Sequence, residues 1–217
     1  MATTIIAGNA TNGLTLTPDN TGALELKTGT GAGTTALTLD SSQNATVAGT
    51  LKAAGVTTAL YPLVSGTAVA STSGTSIDFT SLPSWVKRIT ISLNGVSTNG
   101  TSALVIRAGS GSIQATGYTS ISAGSAGGAI TTGSNNTTGF TFSDAASAAS
   151  VRTGAVTLTL LDAATYKWSV TGIYADPVRL VYLAGGVTLT GVLDQVRVTT
   201  ANGTDTFDAG SVNILYE

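Results

Sequence analysis

The 217-residue chain contains no cysteine and no histidine. The first absence excludes disulfides, thiolate metal sites and cysteine nucleophiles. The second removes the commonest general base and the commonest transition-metal ligand. Charge is scarce: 9% of residues are charged, against roughly 25% in an average soluble protein. The net charge is −2 with no basic cluster, so nucleic acid is not expected as a partner. No apolar run reaches the roughly 18 residues of a membrane-spanning helix, so no membrane insertion is expected. The opening Met1-Ala2-Thr3-Thr4-Ile5-Ile6-Ala7-Gly8 has neither a basic n-region nor a long apolar h-region. The expectation is therefore synthesis in a cytoplasm without general export. Aromatic residues are missing from the front of the chain. The two tryptophans, six tyrosines and four phenylalanines all lie between Tyr61 and Tyr216.

What is present is Thr, Ser, Gly and Asn, together with many Val and Ile. β-Branched side chains are stiff at χ1 and suit strands. Low charge also argues against a self-repelling disordered chain. The reading is an all-β chain in two parts, 1–58 and 59–217.

In the front part a short motif recurs as Leu14-Thr15-Leu16, Leu24-Glu25-Leu26 and Leu37-Thr38-Leu39. Each copy is followed by turn residues: Thr17–Asn20, Thr28–Gly31 and Asp40–Asn44. Val47 and Leu51 continue the pattern. Alternation with this punctuation predicts short strands with one apolar stripe. A buried leucine contributes about 1.5–3 kcal/mol, too little in so sparse a stripe to offset the ordering entropy of the segment. Several copies meeting along a common axis would share a continuous interior. A flexible polar leader is the other reading.

The back part has enough large side chains for its own core. Strands are expected at 67–70, 76–79, 86–93, 103–107, 112–118, 139–142, 155–161, 166–174, 178–183, 187–190, 195–199 and 211–216. Turns are expected at Asn94-Gly95, Asn99-Gly100, Asp176-Pro177, Gly185-Gly186 and Asn202-Gly203. Ile89, Ile91 and Leu93 share one face, as do Tyr166, Trp168 and Val170, and Val156, Leu158 and Leu160. Such one-sided strands suit antiparallel sheets packed as a β-sandwich. Ser143–Ser150 is the one helical candidate, and Ser120–Gly133 reads as an exposed loop. Trp85 is placed at one end of the sandwich, and Tyr216 in a last strand lying within a sheet.

Ser71-Thr72-Ser73-Gly74-Thr75-Ser76-Ile77-Asp78-Phe79-Thr80-Ser81-Leu82-Pro83-Ser84-Trp85-Val86-Lys87-Arg88-Ile89-Thr90, the following Leu93–Gly100 and the segment Phe207–Glu217 resemble tail fibres and related receptor-binding proteins of tailed bacteriophages. Leu37–Leu51 is similar to the stems of such fibres. The resemblance implies a homotrimer located in the virion, a thin trimeric β stem contacting other virion proteins, and a distal antiparallel β-sandwich, jelly-roll-like, facing the host. It transfers no catalytic or ligand set. The chain lacks the long shaft of a fibre, so a fibre tip, a head-attached decoration or an adaptor stays open.

Asp205 and Asp208 are the only paired carboxylates weighed for acid–base chemistry. A glycosidase needs two carboxyls across a substrate, and a solvated turn pair is the plainer reading. Calcium at the same pair lacks the dense ligand loop it would need. No catalytic residue, metal or cofactor is expected. Asp176-Pro177 reads as a turn starter and Lys87-Arg88 as a solvated strand end. Ala108–Ser112 has the glycines of a phosphate loop without its Gly-Lys-Ser/Thr ending. The sharper candidate is saccharide binding at Tyr118, Asn135 and Asn136. An aromatic face with polar neighbours beside a loop suits a sugar, although Tyr118 also fits an ordinary core position. The expected function is a non-catalytic virion protein that binds host surface polysaccharide. The alternatives are a decoration or adaptor contacting virion proteins and, least supported by residue content, a depolymerase.

Overall fold

A computed structural model of the chain describes residues 23–28, 33–49, 61–142 and 147–217. The chain divides into two units, Met1–Leu60 and Tyr61–Glu217. The described residues are all-β, arranged in antiparallel sheets without a helix. None of them forms a helix long and apolar enough to cross a membrane.

The first unit holds β1 (Leu24–Thr28), β2 (Thr34–Leu39) and β3 (Ala45–Val47) in one antiparallel sheet. The register sets Leu24 opposite Leu39, and Leu26 opposite Leu37, which faces Val47. The period-two leucines thus line up across the strands, as same-face residues must. The carboxylate of Asp40 turns the chain between β2 and β3, accepting from the amides of Ser42 and Asn44 at 2.9 Å each. The described side chains from Ala23 to Gly49 are all half-buried or exposed. Leu14–Leu16 and Leu51 lie outside the described residues.

The second unit holds β4 (Val64–Ser65), β5 (Val69–Ala70), β6 (Ser76–Phe79), β7 (Arg88–Thr98), β8 (Leu104–Ser110), β9 (Ser112–Ile113), β10 (Tyr118–Ala126), β11 (Ala129–Asn136), β12 (Phe140–Thr141), β13 (Arg152–Asp162), β14 (Lys167–Asp176), β15 (Arg179–Thr188), β16 (Gln195–Thr200) and β17 (Phe207–Tyr216). One sheet of nine strands runs β11-β10-β15-β14-β13-β7-β17-β4, with β5 also on β17. A sheet of five runs β12-β8-β16-β6, with β9 on β8. Inward residues of both sheets form one hydrophobic cluster, with Ile89, Ile91, Val156 and Leu158 from the first and Ile106, Val196 and Val198 from the second.

β17 lies within the nine-stranded sheet, between β7 on one side and the short β4 and β5 on the other. Trp85 packs against the core, stacked on Tyr61 at 4.7 Å and tilted against Tyr216 at 5.8 Å.

Two turn expectations are corrected. Asn94-Gly95 lies inside β7, opposite a bulge in β17. Gly95 and Gly210 both have positive φ, +65° and +93°, and a Cβ on Gly210 would come within 2.4 Å of the Gly95 backbone. The glycine marks a close approach of two strands there. Gly185-Gly186 likewise lies inside β15, and a Cβ on Gly185 would sit 2.1 Å from the Thr119 carbonyl oxygen.

The Ser120–Gly133 segment is corrected too. It is not a loop but most of the β10–β11 hairpin, turning at Gly127-Gly128. Its inward residues Ser120, Ser122 and Gly124 are small, so apolar alternation does not show in the sequence. They lie where β12 approaches: the Thr141 amide donates to Ser120 Oγ at 3.0 Å. The helical candidate begins outside the described residues. Its described end, Ser147–Ser150, is a turn closed by the Ser150 amide on the Ser147 carbonyl at 2.9 Å.

Candidate functional site

Tyr118 opens β10 on the inward face and is only 2% exposed. Its ring meets Phe140 edge-on at 4.9 Å. Its hydroxyl accepts from the Ala108 amide at 2.8 Å and lies 2.9 Å from the Gln114 carbonyl, to which it can donate. Burial pushes the phenol up to about 12, with the Ala108 hydrogen bond and the Arg107 charge pulling the other way. This corrects the saccharide platform: Tyr118 has no free ring face to offer, because it ties β10 to the five-stranded sheet. Asn135 is exposed and lies opposite Ile121. The Asn136 side-chain oxygen accepts from the Thr138 amide and hydroxyl at 2.7 and 2.9 Å, which shapes the turn into β12. The three residues do not converge on one surface.

The carboxylates of Asp176, Asp194, Asp205 and Asp208 in the second unit are engaged by the chain itself. Asp205 accepts from Asn202 Nδ2 at 2.7 Å and the Ser102 amide at 2.9 Å, joining two loops. The Asn202 and Ser102 bonds hold its carboxyl below the usual range. Asp208 accepts instead from the Ser97 hydroxyl. The two acids thus serve different contacts, and Asp205, held low, is not tuned toward a general acid. The Gly-rich Ala108–Ser112 turn carries a carboxylate of its own: the Gly111 amide donates to Asp194 at 2.9 Å. Arg88 pairs with Glu217. Among the described residues no cluster of three or more Asp, Glu, His or Cys could hold a metal ion.

Asp176 does turn the chain between β14 and β15, and does more. Its Oδ1 accepts from the amides of Val178 and Arg179 at 3.1 and 2.9 Å. Its Oδ2 takes two guanidinium nitrogens of Arg179, at 3.1 and 2.7 Å. Burial raises the Asp176 carboxyl, but these bonds and the Arg179 charge outweigh it and hold the group low. Arg152 lies beneath, 1% exposed, with its affinity for a proton lowered by burial. A cavity of about 450 Å³ opens between Ser147–Ser150 and Asp176–Arg179. The ionised, saturated Asp176 braces this end of the sheet and has no proton to give.

A broad surface was missed in the sequence. On β10, β15, β14 and β13 the residues facing away from the core form a register of four rows. They read Thr119–Gly186–Ser169–Thr159, Ile121–Ala184–Thr171–Thr157, Ala123–Tyr182–Ile173–Ala155 and Ser125–Leu180–Ala175–Thr153. None is charged. Ile173, Ile121, Tyr182 and Leu180 keep 54%, 53%, 48% and 41% of their surface. A hollow of about 230 Å³ at its margin is lined by Thr119, Leu161, Lys167 and Thr188, among others. The signal was present in Leu180-Val181-Tyr182-Leu183-Ala184, apolar on both faces. Ending a strand at Leu183 hid it.

The chain matches no family model, no curated protein and no solved structure.

Proposed function

We propose that the chain is a structural virion protein of the bacteriophage tail-fibre kind, working as a homotrimer without catalysis. In this reading the front part forms a trimeric β stem contacting other virion proteins. The back part is an antiparallel β-sandwich, jelly-roll-like in setting two sheets over one core, displayed on the particle. The observation that supports it most is the front sheet. Leu26, Leu37 and Val47 line up across β1, β2 and β3, yet no described side chain there is buried. An ordered leucine stripe without an interior calls for a partner, and further copies of the same stripe supply one.

The contact made by the back part is proposed to be with protein rather than sugar. The burial of Tyr118 removes the stacking face that the saccharide reading relied on, and the Asn136 side-chain oxygen is taken up by Thr138. This favours the adaptor or decoration role alongside the fibre role. Native mass measurement of the purified chain is the test, with a density map of the particle to locate it. A threefold mass that resists heating, and density on the tail or capsid, is expected. A well-behaved single chain would overturn the reading.

A further inference from the structure

We infer that the uncharged outward patch of β10, β15, β14 and β13, from the Thr119 row to the Ser125 row, packs against the same patch of other copies of this chain. The inference rests on the reading that several copies assemble.

Charge is the first reason for this occupant. Exposed β-sheet faces of soluble proteins normally carry charged residues among their polar ones. The outward face of the five-stranded sheet conforms, with Arg197 paired to Asp78 and Arg107 beside Arg197 in the register. The sixteen residues centred on Tyr182 and Ile173 include none; the first charge met along the face is Lys167 at the start of β14, opposite Thr188. Away from the Lys167 margin, a charged group of a partner would lose its hydration and find no counter-ion. An uncharged face is needed, and each copy brings an identical one. The composition fits: protein interfaces lose charged residues at their centre and keep aromatic and aliphatic ones. Tyr182 and Ile173 are at that centre, opposite each other in the register.

Area is the second reason. Strands spaced at about 4.8 Å and same-face residues at about 6.8 Å give this grid a plan of roughly 500 Å². A stable free-standing contact buries about 800 Å² per partner. The face is thus too small to hold two independent molecules firmly. It suffices for copies already joined through their front parts, because tethering raises the effective concentration to around millimolar. A partner from outside would have no such tether.

The absence of native cysteine makes the test direct. Full-length Tyr182→Cys and Ile173→Cys, with Thr80→Cys as a control on an exposed position after β6, are treated with a short bis-maleimide. The expected result is covalently joined copies forming about tenfold or more faster at 182 and 173 than at 80, with labelling by a simple maleimide slowed at those two. An assembled chain whose thiols at 182 and 173 label as fast as at 80, and do not cross-link, overturns the inference. It would leave the face open to another virion protein or a sugar. A wild-type chain running as a single copy in the same buffer overturns the underlying reading as well.

Discussion

Leu26 in the first unit keeps 47% of its surface, whereas Leu158 in the second keeps none. Both belong to antiparallel sheets, and both sit in period-two strands. They differ in what stands opposite. Leu158 faces a second sheet carrying Ile106, Val196 and Val198. Leu26 belongs to a described sheet of three strands with no second layer among the described residues of its unit. Hydrogen-bonded pairing alone gives a sheet its register but not an interior, and burial of apolar area is the dominant favourable term in folding. The same local pattern therefore comes with an interior in one unit and with none among the described residues of the other, where further copies are proposed to supply it.

Mutation should show the contrast most sharply in the second unit. Leu158→Ala, at a fully buried site, is expected to cost about 2–5 kcal/mol in a urea melt followed by tryptophan fluorescence. The loss should not depend on protein concentration. Gly210→Ala forces a side chain into positive φ against the Gly95 backbone. It should cost about 2–3 kcal/mol in the same melt and disturb the Trp85 environment little. Tyr118→Phe leaves the Ala108 amide without its 2.8 Å acceptor and should cost about 1–3 kcal/mol.

Leu26→Thr in the first unit should shift that melt by less than about 0.5 kcal/mol. Its effect belongs to the assembly: the midpoint of thermal dissociation should fall, and fall further on dilution. If Leu26→Thr instead destabilised the second unit as much as Leu158→Ala, the contrast would be lost.

The smallest effect is that of pH. With no histidine or cysteine, stability should be flat between about pH 5 and 8. Asp176 and Asp205 have folded pKa values below their ordinary 3.8. Their contribution is complete above that value and disappears as pH falls through the folded ones. At the alkaline end Tyr118 is raised from 10.0 to about 12. Its contribution is complete below the first value and lost as pH rises through the second. Denaturation midpoints across the pH range check both limbs.

The strands of the second unit were legible wherever apolar residues alternate, as in Ile89-Thr90-Ile91-Ser92-Leu93 or Val156-Thr157-Leu158. They were illegible where packing demanded small residues. β10 turns Ser120, Ser122 and Gly124 inward, so its core face looks like a loop. Asn94-Gly95 and Gly185-Gly186 look like turns because glycine serves both a bend and a close strand approach, and the sequence does not separate the two. The candidate site fared worse for a related reason. Tyr118 beside a Ser/Gly run suggested an exposed platform, but the run is a strand and the ring fills space against Phe140. The outward face of Tyr182 and Ile173 becomes visible only when four strands are in register, a non-local fact.

The most direct test is amide hydrogen exchange of the full-length chain, comparing Leu24–Leu39 with the amides around Leu158 over a dilution series. Slow exchange in both segments at high concentration is expected, with protection of Leu24–Leu39 lost on dilution while that around Leu158 persists. Protection of Leu24–Leu39 in a chain that mass measurement shows to be single would contradict the claim that the front sheet depends on other copies.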